Sequence, residues 1–277
     1  DDSVSTHIID AIDSLKRNNV DAGNFKMARF FWPDVALNNN SCRAVVPYFS
    51  NKIRSLSSAR MLKNSLACGF QEIRYLPRCY HAVIRKRVLD EVADKYGSRF
   101  PGPSPDMANA VCCLGLVNRH VYIDTPYVIS GYSKNSTAGQ GLRGEHIGRL
   151  EDQPHLPSDI LDIWPEGVLR VWTGETIWYV SGLLALQRDL KPFPREPNVH
   201  QMNFRLYLRY GNLWKLRDEA PPSLHDLLIN AVSFFASKLF EKIRHLSFSR
   251  FHFFKTTEKL SLEDFQKELD IVIEDKS

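Results

Sequence analysis

The chain has 277 residues, 43% of them hydrophobic and 25% charged, and a formal net charge of +4. That is enough chain to bury a large core, either as one domain or as a domain with an appendage. The mild basicity admits an anionic ligand or a membrane surface, but there is no zinc-finger spacing, RRM-like core or long Lys/Arg tract, so nucleic acid is not an expected partner.

In chain order, Asp2 or Ser3 is placed to cap a first helix from about Val4 to Arg17, with Val4, Ile8, Ile9, Ile12 and Leu15 as its apolar stripe. FKMARFFWP reads as a strand starting at Phe25 and ended by Pro33, followed by a loop through Val45. A helix is expected over Ser55–Cys68, with Gly69 as its terminator. RCYHAVIRKRVLDEVADKYG carries a strand, Cys79–Ile84, into a helix, Lys86–Lys95, stopped by Gly97. FPGPSPDMANAVCCLG, Phe100–Gly115, is breaker sequence running into a small, apolar helix that starts near Pro105. HVYIDTPYVIS follows as a strand with a kink at Pro126. Alternation of helices and strands points to an α/β fold.

From Gly139 to about Pro197 the chain is rich in Gly, Pro and Trp; Trp164, Trp172 and Trp178 suit either an acceptor site or core anchoring. An amphipathic helix is expected over 222–245, with Ser223 as its cap. FSRFHFF after it suits ordinary packing, a membrane contact or a homo-oligomer contact. The last segment, SLEDFQKELDIVIED, reads as a helix with Ser261 and Asp264 spaced as a capping box.

The five cysteines, Cys42, Cys68, Cys79, Cys112 and Cys113, form no regular frame, which fits a reducing compartment. No signal peptide opens the sequence and no apolar run reaches the length of a bilayer span. A cytoplasmic location is expected, with peripheral contact at the inner face of the membrane left open.

Several residues have chemistry beyond packing. Asp1 and Asp2 offer oxygens to a hard divalent cation, or else complement the positive end of a helix. Asp106, just after Pro105, gains from a helix N-terminus and is also a candidate general base. His81 is either a structural histidine or faces a site; Arg85 and Arg87 are either solvated or meet phosphate. Ser133, Lys134, Asn135 and Ser136 form a polar loop after a strand, where α/β sheets often carry sites, and His146 is a further candidate contact for metal or phosphate.

The order of four motifs, the acidic pair Asp1-Asp2, YHAVIRKRVLDEV, SPDMANAV and SGYSKNS, resembles the second half of a family 2, GT-A-type glycosyltransferase. The resemblance covers roughly residues 1–140, which it implies are the acceptor-side half of the catalytic domain. Residues 141–277 would be a mostly helical extension contacting acceptor, membrane or another subunit. It implies an inverting enzyme that uses a nucleotide-sugar donor and a divalent metal, Mn2+ or Mg2+. Asp1 and Asp2 would hold the metal, Asp106 would be the base, and Asp2, His81, Arg85, Ser133 and Lys134 would lie around the donor. The acceptor would be a glycan, a lipid-linked sugar (a glycolipid) or a protein. The resemblance also implies an upstream half that binds the nucleotide. The alternatives are a non-catalytic transferase-like module for glycan binding or assembly, and a metal-dependent phosphoester hydrolase.

Overall fold

The computed structural model describes residues 2–35, 43–154, 156–188, 196–211, 223–232, 234–235, 252–254 and 261–276. It is a mixed α/β fold built on a sheet with both parallel and antiparallel pairs. The two central strands, β2 (Ala22–Phe31) and β6 (His120–Tyr132), run parallel, so their carboxyl ends meet at Phe31 and Tyr132. The short strands β1 (Ser3–Val4) and β4 (Ile53–Leu56) both pair antiparallel with β6. β5 (Ala82–Ile84) pairs with the start of β2, while β3 (Arg43–Val46) pairs with its end and with β7 (His252–Phe254).

The kink expected at Pro126 is a bulge. Phe25 pairs with Ile123, but Met27 pairs with Val128, so β6 carries three extra residues across this step. One side chain of the bulge, Asp124, is buried and well satisfied. It accepts from Lys26 Nζ at 2.7 Å, Ser50 Oγ at 2.7 Å and the Ser50 N–H at 3.1 Å.

The first helix, α1 (Ile8–Arg17), begins later than the apolar stripe suggests. Ser3 and Val4 are drawn into strand pairing with Ile129 and Val128, and His7 takes the N-cap position. Leu15 is the buried anchor of α1, packed with Phe25, Val121, Ile123 and Val128. The helix expected over Ser55–Cys68 is α2 (Ser58–Ala67), because Ile53–Leu56 is taken by β4. Residues 43–46, expected in a loop, form β3.

α3 (Lys86–Tyr96) ends at Gly97, whose φ of 79° is the left-handed conformation that glycine adopts without strain. α4 (Pro105–Leu114) is buried on all sides: every residue from Met107 to Leu114 is inaccessible. Its alanines and cysteines leave room for close neighbours. α6 (Gly174–Arg188) packs on α4, and α7 (Val199–Tyr210) packs on α6. Gly182 of α6 lets the fully buried ring of Phe70 approach; a Cβ there would stand 2.5 Å from ring atoms.

A boundary near residue 140 does not part the core. Ala185 and Leu186 of α6 share one apolar cluster with Val88, Met107, Val111 and Leu114. The last helix, Leu262–Glu274, buries Phe265, Leu269 and Ile273 against Phe30, Val46 and Ile129. Ser261 caps it, accepting the Asp264 N–H at 3.0 Å and donating its hydroxyl to Asp264 Oδ2 at 2.7 Å. The long helix expected over 222–245 lies largely outside the described residues; 224–232 is helical, and Ser223 Oγ accepts the Asp226 N–H at 3.1 Å. Among the described residues no helix is long and apolar enough to cross a membrane.

Candidate functional site

The site grows from α4. Pro105 occupies the first turn, where its missing N–H costs nothing, and Ser104 takes the N-cap position with extended backbone. The Ser104 side chain makes no cap bond. Instead its N–H donates to Ser181 Oγ of α6 at 2.7 Å, which fixes the start of the helix. Asp106 lies in the first turn, yet its Oδ1 is buried and has no hydrogen-bond partner among the described residues. Leaving such an acceptor unpaired costs roughly 1–3 kcal/mol. An acid serving only as a cap would have filled that valence.

The facing wall is the loop 74–81. Asn24 Nδ2, on β2, donates to the carbonyls of Arg74 at 3.1 Å and Leu76 at 2.8 Å. Asn109 Oδ1, one turn along α4 from Asp106, accepts the Cys79 N–H at 3.3 Å. Between these two clamps Arg78 is carried inward until it is only 6% exposed. Its Nη2 meets Met27 Sδ at 3.9 Å and His81 Nδ1 at 3.4 Å, and its Nε is buried without a partner.

His81 holds a φ of 61°, the left-handed region that a side chain disfavours. This turn sets the ring between Arg78 and Asp2, with Nε2 3.4 Å from Asp2 Oδ2. Asp2 Oδ1 accepts the Gly131 N–H at 2.7 Å, near the end of β6. Three residues far apart in sequence, Asp2, His81 and Asp106, are thus gathered around Arg78.

Their charges are coupled. Burial pushes the Asp106 carboxyl above the ordinary aspartate range; Arg78 and His81 oppose that shift and Asp2 adds to it. The hydrogen bond with His81 holds Asp2 below its usual value, with Gly131 helping against partial burial. Burial also draws the Arg78 guanidinium downward, against the pull of Asp106. The two carboxyl groups are therefore pushed in opposite directions, a pattern that separates a proton acceptor from a fixed negative charge.

The remaining candidates divide. Ser133 lines an open cleft of about 600 Å3 with Trp32, Pro33, Asp34, Asn135 and Ser136, just beyond the carboxyl ends of β2 and β6. Crevices outside strand carboxyl ends are where α/β sheets take ligands. The loop is shaped by Ser136, whose Oγ accepts the N–H groups of Ser133 at 3.1 Å and Gly139 at 3.0 Å. Lys134 is exposed, and its carbonyl accepts from Arg143 Nη2 at 2.6 Å.

Arg85 is engaged elsewhere. Its Nε donates to the Val20 carbonyl at 2.7 Å and its Nη2 to the Lys16 carbonyl at 3.1 Å, closing the end of α1. His146 packs edge-on against Trp172. Trp164 is buried, with its indole N–H on the Val168 carbonyl at 2.9 Å, and Trp178 packs against the core. Asp1 lies outside the described residues.

Among the described residues no group of three or more His, Cys, Asp or Glu side chains stands ready to hold a metal ion. A hard cation bound with substrate phosphates needs only one or two protein carboxylates. Asp2, with a 52% exposed side chain and Oδ2 free of any backbone bond, fits that smaller demand. Arg78 is the residue that sequence reading missed: nothing local sets it apart from the basic residues Arg85, Lys86 and Arg87 a few positions on. The signal was the polar pair Asn24 and Asn109, whose partners become visible only in the fold.

No family model matches the chain, and no curated protein or solved structure matches it.

Proposed function

We propose that this chain carries the acceptor-side half of a GT-A-type, inverting glycosyltransferase that uses a nucleotide-sugar donor. One observation carries the reading: Asp2 and Asp106, 104 positions apart by their numbers, share one electrostatic cluster through His81 and Arg78. A structural cap or a solvated acid needs no such convergence.

In this reading Asp106 receives the proton of the acceptor hydroxyl. The hydroxyl oxygen bonds to the anomeric carbon as the bond from that carbon to the diphosphate breaks, and one displacement inverts configuration. The unpartnered Oδ1 and the raised pKa make Asp106 a better proton acceptor than an ordinary aspartate. Asp2, held in place by Gly131 and His81, would carry the divalent cation together with Asp1. When bound, that cation would neutralise charge on the leaving diphosphate. Ser133 would border the donor from the cleft at the strand ends, with Lys134 next to it in the chain.

The test is release of nucleoside diphosphate from a panel of nucleotide sugars, with Mn2+ and a mixed glycan acceptor, by protein that includes the implied nucleotide-binding half. Asp106→Asn is expected to lower turnover by roughly 10²- to 10⁴-fold. No release from any donor, or full activity in Asp106→Asn, would overturn the assignment and favour a non-catalytic glycan-binding module.

A further inference from the structure

A guanidinium is always a donor and always seeks acceptors. Arg78 is almost wholly buried, yet among the described residues its only polar partners are a thioether and an imidazole nitrogen. No carboxylate pairs with it directly, although Asp106 is near enough to influence it. Of the groups around it, Asp106 and Tyr132 favour its charge and Arg74 opposes it. A buried cation whose nearest anion, Asp106, acts on it without a direct hydrogen bond is an incompletely paired arrangement that a bound anion relieves.

We infer that Arg78 receives an anionic group of the acceptor, so that the acceptor is an acidic sugar rather than a neutral one. The inference rests on the transferase reading above. In an in-line displacement the base and the leaving diphosphate stand on opposite sides of the anomeric carbon. The Cys79 N–H binds Asn109, one turn from Asp106, so Arg78 is tied to the base and hence to the acceptor side. The planar fork of an arginine matches a carboxylate with two parallel hydrogen bonds.

Titration calorimetry with glucuronate, glucose and pyrophosphate as separate probes tests this on wild-type protein, Arg78→Gln and Arg78→Lys. Wild type should bind glucuronate in preference to glucose. Arg78→Gln should weaken glucuronate by roughly 10- to 100-fold while leaving pyrophosphate unchanged. Arg78→Lys, which keeps the charge and loses the fork, should also weaken it and covers the case of a glutamine variant that does not fold. Equal binding of glucuronate and glucose by wild type, or unchanged glucuronate binding in folded variants, overturns the inference. So does loss of pyrophosphate alone, which would move Arg78 to the donor side. Because binding is read without turnover, Asp106→Asn separates the two claims. It should abolish transfer and still bind glucuronate.

Discussion

Arg78 Nη2 stands 3.4 Å from His81 Nδ1, and this contact dictates which nitrogen of the ring carries hydrogen. A guanidinium has no lone pair to offer, so Nδ1 must accept. Nε2 then bears the hydrogen and points it at Asp2 Oδ2. Nitrogen-15 NMR at neutral pH should show His81 as the Nε2–H tautomer, and Arg78→Gln should release it to a mixture. A predominantly Nδ1–H ring in the wild type would contradict the arrangement.

Asp106 should be a stability defect at neutral pH. Its folded-state pKa is raised, chiefly by burial. Such a group favours folding while protonated, and that benefit is lost as pH rises through the folded pKa. Asp106→Asn should therefore raise the melting temperature at pH 7. The gain should shrink as pH falls below the ordinary aspartate range. Thermal unfolding from pH 3 to pH 8 checks it, and a variant less stable at every pH would show the carboxylate to be favourable where it is.

His120 should weaken the fold in acid. It is buried, shares a 2.6 Å contact with Asn24 Oδ1, and is pushed down to about 4 by desolvation. Between about 6.5 and 4 the unfolded chain takes up a proton that the folded chain refuses. Stability should fall across that window by on the order of 3 kcal/mol. Denaturant titrations of wild type and His120→Gln at pH 7 and pH 4.5 should differ in slope with pH, the variant being the flatter.

Gly182→Ala should force α6 away from Phe70, in the turn that follows α2. The added methyl meets the ring of Phe70, which is completely buried and cannot swing aside. A loss of about 1–3 kcal/mol is expected from overpacking alone. Recovery of stability in the double variant Gly182→Ala, Phe70→Leu would show that the clash is the cause.

Asp124→Ala should be the costliest of these changes. It removes the acceptor of three hydrogen bonds and strands Lys26, whose side chain is only 21% exposed. Breaking a buried pair costs about 3–5 kcal/mol, a figure to be reduced here because Lys26 keeps some water. Chemical denaturation measures it; a change under 1 kcal/mol would mean the bulge is held by the backbone alone.

Much of the fold was legible because it lies in long patterned runs. The PDMANAVCC helix and the HVYIDTPYVIS strand are unambiguous in composition, and both form as expected. Of the short strands, β5 was legible within Cys79–Ile84, while β1, β3 and β4 were not. Ser3–Val4 is two residues long, too brief for alternation to register, and its partners are Ile129 and Val128, far along the chain. At the site, Asp2, His81 and Asp106 could be selected as chemically apt. Arg78 could not, because its burial comes from Asn24 and Asn109 gripping the loop around it. Arg85 looked equally basic in sequence, yet it closes a helix end. Local composition does not distinguish a guanidinium facing carbonyls from one facing a ligand.

The last helix clasps the first strand. Ser3 Oγ donates to Gln266 Oε1 at 2.8 Å, Thr6 Oγ1 donates to Asp270 Oδ2 at 2.8 Å, and Phe265 stacks on Phe30. A ribosome making this protein therefore emits Asp2 more than 250 residues before the elements that lock its strand in place. Until then β1 is held by its two-residue pairing with β6 and by the flanking bonds of Asp2 and Ser5 to Gly131 and Tyr127. The acidic side of the site is clasped only once residues 262–274 have been made, and a nascent chain stalled before residue 262 carries Asp106 in its helix opposite an Asp2 segment without that clasp.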